Sequence, residues 1–221
     1  MSNPPEPPRT PRKIAVGPLV LALILAVASL YAFGGFGNLS GGKTVANAGQ
    51  CKAAAAKVAS LKPLAKGEVA ALQVPDRPAP VVSLSFFNAK GEAVTLAAFR
   101  GRTVLLNLWA TWCVPCRKEM PALDAVQAEL GSKNFEVVAV SIDQRNLEKP
   151  RQFLEEIKVT HLAYYADPSA KIFQDLKAAG RAFGMPTTLL IDAQGCELAY
   201  IAGPAEWASP EALAFVRAAL K

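Results

Sequence analysis

The sequence predicts an α/β domain with a mixed central sheet and helices on both faces, preceded by an N-terminal transmembrane helix. Three observations carry that reading. From Thr103 onward, strand-type and helix-type segments follow in the order β, α, β, α, β, α, β, β, α, which gives a mixed sheet covered by helices. Thr103 to Leu108 is a near-continuous apolar run, as a central strand covered on both faces requires. Ile14 to Phe36 contains no charged side chain, and at about 1.5 Å per residue it can cross a hydrocarbon core of roughly 30 Å.

The ends of that apolar segment set its orientation. Arg9, Arg12 and Lys13 precede it against Glu6 alone, and positive charge before a first span keeps that end in the cytoplasm. Residues 1–13, polar and Pro-rich, form the expected cytoplasmic tail, residues 14–36 the anchor, and everything beyond lies across an inner membrane, in a periplasm-like space. A cleaved signal peptide is the alternative, because Ala26-Val27-Ala28 resembles a small-x-small cleavage site. Both readings export the domain. Residues 37–79 read as a glycine-rich tether followed by a helical extension, with helix on both sides of Pro63 within Ala53 to Leu72. Pro75, Pro78 and Pro80 make an extended connector, and 80–221 is the main domain.

Within it, Val81 to Phe87 and Ala93 to Leu96 read as strands joined across Asn88-Ala89-Lys90-Gly91. After the central strand, Pro115 to Leu130 reads as a helix kinked at Pro121. Phe135 to Ile142 alternates as a strand and Leu147 to Ile157 reads as a helix. Leu162 to Ala166 is the next strand and Ser169 to Ala178 the next helix. Thr187 to Ile191 and Glu197 to Ile201 pair across a turn at Ala193-Gln194-Gly195. Ser209-Pro210-Glu211 opens a final helix with Ser209 as its N-cap.

The net charge is +6, of which +2 (three bases less one acid) lies in the first thirteen residues. The exported part, with 21 bases and 17 acids, is about +4. Its bases are scattered without aromatic interleaving, which argues against nucleic acid as a partner. Four cysteines in an exported chain point to redox chemistry, since disulfides persist there. Cys113 and Cys116 stand three apart at the start of a helix. Unsatisfied N–H groups and the positive end of the dipole favour thiolate there, and Pro115 suits the first turn. On spacing alone a C-x-x-C is also half of a zinc site. Cys51 and Cys196, far apart, are proposed as a second disulfide, the alternative being two unconnected thiols. His161, the single histidine, reads as a surface or strand-end residue, because a metal site needs several convergent donors. No metal, cofactor or nucleotide fingerprint is expected.

Two separated motifs, Asn107-Leu108-Trp109-Ala110-Thr111-Trp112-Cys113-Val114-Pro115-Cys116-Arg117-Lys118-Glu119-Met120-Pro121 and Gly184-Met185-Pro186-Thr187-Thr188, resemble the thioredoxin-like superfamily. Within it the chain is similar to the TlpA-like branch of membrane-anchored extracytoplasmic thiol–disulfide oxidoreductases, over roughly Pro80 to Leu220. The resemblance implies a thioredoxin-like fold, Cys113 as the exposed nucleophile and Cys116 as the buried resolving thiol. It implies that Pro186 is a cis-proline beside the disulfide and that the Met185 backbone pairs with an extended substrate segment. Trp109 is expected in the core and Trp112 on the docking face, with packing as the plainer role for both. Thioredoxins carry a buried aspartate two residues before the Trp-Ala pair, where this chain has Asn107, which cannot exchange a proton. In the extracytoplasmic branch a glutamate follows the second cysteine by three, and Glu119 stands there, sharing a helix face with Cys116. Glu119 is therefore the candidate for tuning the cysteine pKa values, its alternative being a solvated glutamate in the first turns.

The function this implies is a periplasmic protein-disulfide reductase. Its implied clients are exported proteins of copper-centre assembly, a thioredoxin-fold copper chaperone and the copper subunit of cytochrome oxidase. Electrons would come from a transmembrane thiol-reducing donor. The alternatives are a reductase in cytochrome c (heme) maturation, a dithiol oxidase on the same fold, and a copper-binding chaperone. A peroxidase is disfavoured, because its Pro-x-x-x-Thr-x-x-Cys context is absent.

Overall fold

The computed structural model describes Gly49 and residues 51–221. The expected tail, the anchor, the cleavage-site alternative and all but the last part of the tether lie outside the described residues. Among the described residues, no helix is long and apolar enough to cross a membrane.

One seven-stranded sheet organises the chain, in the order β2-β1-β5-β4-β3-β6-β7. Its strands are β1 (Ser85–Asn88), β2 (Ala93–Thr95), β3 (Thr103–Trp109), β4 (Phe135–Ser141), β5 (Tyr165–Ala166), β6 (Thr187–Ile191) and β7 (Glu197–Ala202). β3, β4 and β5 run parallel, while the β1–β2 hairpin and the β6–β7 hairpin add antiparallel pairs at the two edges. Every residue of β3 is buried, which explains its uninterrupted apolar run. The helices are α1 (Ala54–Leu61), α2 (Val114–Leu130), α3 (Lys149–Glu156), α4 (Lys171–Ala178) and α5 (Pro210–Ala219).

Several expected boundaries move, each for a visible reason. Pairing with β2 starts only at Ser85, because Pro80 bridges to Cys196 and the Val81 N–H donates to Gly195 O. The strand expected from Leu162 shrinks to Tyr165–Ala166, since the His161 and Leu162 N–H groups donate to the Asp124 carboxylate at 2.7 and 3.0 Å. α3 begins at Lys149 rather than Leu147: Pro150 in its first turn has no N–H to donate further back. α2 keeps its helical conformation through Pro121. Beyond Pro63, which sits in a 3₁₀ turn, there is only a second short 3₁₀ turn, Gly67–Val69, instead of a second α-helix.

Packing crosses the expected boundary at residue 80. α1 packs against α5 and β7, Gln73 pairs with Tyr200, and a disulfide joins Cys51 to Cys196 across 145 residues. The extension thereby covers the β7 edge of the sheet, an edge that would otherwise present unpaired backbone groups. At the N-terminus of α5, Ser209 Oγ accepts the Ala212 N–H.

Candidate functional site

The site is built where β3 ends. β6 runs antiparallel to β3 with Leu108 opposite Thr187, so the start of β6 lies beside the end of β3. That register brings two segments distant in sequence to one place: Trp109 to Cys116 on one side and Gly184 to Pro186 on the other. The Met185–Pro186 peptide bond is cis. Thr187 Oγ1 donates to Gly184 O at 2.7 Å, and the Gly203 N–H donates to Pro186 O at 2.9 Å, which fixes the loop. The backbone N–H and C=O of Met185 have no partner among the described residues.

Cys113 is the N-cap of α2, with extended backbone at φ −91° and ψ 102°, and Pro115 stands in the first turn. Its Sγ accepts the Cys116 N–H at 3.3 Å, so the sulfur lies against the electropositive end of the helix. Cys113 and Cys116 form a disulfide, with Cα atoms 5.3 Å apart. Cys116 is fully buried. Cys113 is only 5 % exposed, which corrects the expectation of an exposed nucleophile: its sulfur is bonded to that of buried Cys116 and accepts the Cys116 N–H. Both cysteines are committed to each other, and no group of three or more metal-ligating side chains occurs among the described residues.

The surroundings of the disulfide are apolar and open. Trp112 is 62 % exposed, Val114 on the other side of Cys113 is exposed, and Phe183, entering the cis-proline loop, is 75 % exposed. Phe183 escaped the sequence reading; its one signal was an aromatic residue immediately before Gly184-Met185. Trp109, by contrast, is completely buried, 5.8 Å from the Phe153 ring.

Glu119 lies one turn beyond Cys116, on α2, and is 4 % exposed. Burial pushes its pKa up to about 7. The Asn107 side chain and the Ala205 N–H, donating to the carboxylate at 2.7 and 3.3 Å, partly offset that rise. The solvated alternative for Glu119 is thus excluded. Asn107 Nδ2 also reaches Thr188 Oγ1 at 2.9 Å, joining β3, α2 and β6 beneath the dithiol.

A second buried acid was not singled out in the sequence. Asp143 accepts from the Thr111 N–H and hydroxyl at 2.9 and 2.6 Å and from the Ser141 hydroxyl at 2.9 Å. It ties the loop before Cys113 to the end of β4. A polar residue at a β-strand terminus was its only sequence signal. His161 lies at the surface, its ring 3.0 Å from Asp124, away from any metal-type cluster. Burial would raise the Asp124 pKa, yet the His161 side chain and the His161 and Leu162 N–H groups hold it below its ordinary value.

Residues 74–215 match the family model Redoxin. The chain belongs to the Redoxin family. It is 39% identical over 104 residues to the thiol-disulfide oxidoreductase ResA of Oceanobacillus iheyensis, covering 47% of this chain and 51% of that protein. It is 32% identical over 127 residues to the thiol:disulfide interchange protein HelX of Rhodobacter capsulatus, covering 57% of this chain and 66% of that one. The chain therefore spans about half the length of the first of these relatives. Among solved structures, a thiol:disulfide interchange protein of the thioredoxin family from Chlorobium tepidum superposes with a TM-score of 0.54 at 27% identity. That match covers 66% of this chain and 98% of that one. As a Redoxin member the chain has the thioredoxin-like α/β fold, with its mixed sheet and flanking helices.

Proposed function

We propose that this protein is a membrane-tethered, extracytoplasmic thiol–disulfide oxidoreductase working as a protein-disulfide reductase. The observation that carries the reading is the Cys113–Cys116 disulfide at the N-terminus of α2, beside the cis Met185–Pro186 bond. The names of the relatives support the reaction type, and the uncharged Ile14–Phe36 segment supports the tether. The client class, copper-site cysteines of a copper chaperone and of the oxidase copper subunit, rests on the resemblance to the TlpA-like branch. So does the transmembrane thiol donor that would recharge the pair.

In that reaction the reduced Cys113 thiolate attacks one sulfur of a client disulfide and expels the other as thiolate, leaving a mixed disulfide. The Cys116 thiolate then attacks the Cys113 sulfur, releasing the client cysteine and forming the bond present in the structure. Two electrons pass to the client, and two protons follow them onto its thiols. Cys116 must lose its proton before it attacks, and Glu119, one helical turn away with a pKa of about 7, is poised to take it near neutral pH.

Trapping tests the roles. Cys116→Ser stalls after the first attack and retains exported partners as mixed disulfides, whereas Cys113→Ser captures none. Capture by Cys113→Ser instead would reverse the assignment. A reduction potential nearer −270 mV than about −120 mV is expected for a reductase. A value at the oxidising end refutes the direction of electron flow.

A further inference from the structure

Beside the disulfide lies a cavity of about 640 Å³ that the exchange reaction does not itself require. Trp112, Phe173 and Met185 supply its apolar wall, and Arg145 and Lys149 its charged rim. The same cavity thus touches the residue before Cys113 and the residue whose backbone has no partner. A client segment lying along Met185 would pass beside it.

The charge lining this cavity is positive on balance, two cations against one carboxylate. Asp143 also lines it, but both carboxylate oxygens are occupied by Thr111 and Ser141 donors and the residue is 4 % exposed. Arg145 and Lys149 are exposed and make no ion pair among the described residues. Glu148, between them in sequence, does not line the cavity. What the cavity offers an incoming group is therefore an apolar wall, the polar side chains of Gln144, Asn146 and Gln174, and two exposed cations at the rim against one buried carboxylate.

We propose that this cavity is a specificity pocket for an acidic side chain next to the client cysteine, with Arg145 and Lys149 as its charge-reading residues. The proposal rests on the reductase reading and adds to it the chemistry of the substrate segment. Glutamate suits the site: its methylenes lie against Trp112 and Met185 while its carboxylate reaches the rim. The two cations are exposed, so the preference is about tenfold rather than thousandfold, and it weakens as salt is added.

The probes are two synthetic peptides, each with one cysteine in mixed disulfide with 2-mercaptoethanol. The residues flanking the cysteine are glutamate in one peptide and glutamine in the other. The reduced protein attacks each disulfide and becomes oxidised at Cys113–Cys116, leaving peptide thiol and mercaptoethanol. Acid quenching and mass spectrometry give the second-order rate constants. The glutamate peptide is expected to react about tenfold faster at low ionic strength, and the ratio to fall to one or below in Arg145→Glu/Lys149→Glu. The comparison variant Lys133→Glu/Lys158→Glu carries the same charge change near the start of β3 and beyond the end of α3, away from the site, and should keep the ratio. Equal rates in the unaltered protein, a ratio that survives the cavity reversal, or equal loss in both variants would overturn the pocket. Failure of both peptides to react would instead overturn the reductase reading on which it stands.

Discussion

Replacing Glu119 by Gln should make the folded protein less sensitive to pH, and the size of the effect follows from the site. A carboxyl whose pKa is about 7 in the native state and 4.5 in the unfolded chain binds its proton more tightly when folded. Between those values the native state holds more protons, so stability falls as pH rises. The contribution is complete below pH 4.5 and is lost by the time pH has passed through about 7. The gap corresponds to about 3 kcal/mol at 1.36 kcal/mol per pH unit. Gln keeps the shape but has a single oxygen, so it accepts from one of the Asn107 and Ala205 donors only, a cost that does not vary with pH, and it never ionises. Urea unfolding of both proteins, with all disulfides intact, at a series of pH values from 4 to 8 measures the difference. The variant should gain about 3 kcal/mol on the parent between the two ends of that range, with most of the gain above pH 5. A stability difference that stays constant across the range would show that Glu119 titrates as a solvated carboxyl, and the account of this site would be wrong.

Asn107→Asp places a second carboxylate within hydrogen-bonding reach of Glu119, so two buried acids share one proton and the same pH series should resolve into two separated steps. Removing the Cys51–Cys196 bridge as Cys51→Ser/Cys196→Ser opens a loop of 145 residues. The chain-entropy model gives a loss of about 5 kcal/mol, read from the urea midpoint with the active-site disulfide left oxidised. Asp143→Ala leaves the Thr111 N–H and hydroxyl and the Ser141 hydroxyl without their acceptor, and a loss of about 2–3 kcal/mol is expected by thermal unfolding. Asp143→Asn, which retains one acceptor oxygen, should recover part of it.

What the sequence made legible was local or periodic. The run of β3, the cap of α5 and the alternation of strand and helix depend on neighbouring residues, and their elements stand close to where periodicity puts them. The two cysteines and the Met185–Pro186 loop could be joined in advance only through the resemblance to the thioredoxin-like superfamily, which places a cis-proline beside the disulfide. Their contact, however, comes from the β3–β6 register, which no local pattern states. Contacts made by a single polar side chain across the fold were illegible. Nothing in the spacing of Asp124 announces that it captures the His161 and Leu162 N–H groups and shortens a strand. Nothing near Thr111 announces Asp143, thirty-two residues on. The near burial of Cys113 was equally hidden, because it depends on how its sulfur lies against buried Cys116.

Asn107 and Glu119 belong to one design rather than two departures. Thioredoxins hold their buried acid on the strand, at the position of Asn107. Here the acid arrives from the helix and meets that same position at 2.7 Å. Moving it has a consequence for proton transfer. A carboxyl on α2 shares the helix with Cys116, so their separation is fixed by one turn of backbone rather than by how strand and helix pack. The strand residue, relieved of ionisation, becomes the group that tempers the acid. Its Nδ2 donates to the carboxylate and opposes the rise that burial causes, which leaves the pKa about 7 rather than higher. A full rise would keep Glu119 protonated at neutral pH and unable to accept a proton from a thiol. An unshifted carboxyl would accept too weakly. The amide on β3 and the burial on α2 hold the acid between those limits, the setting that the proposed proton exchange with the dithiol requires.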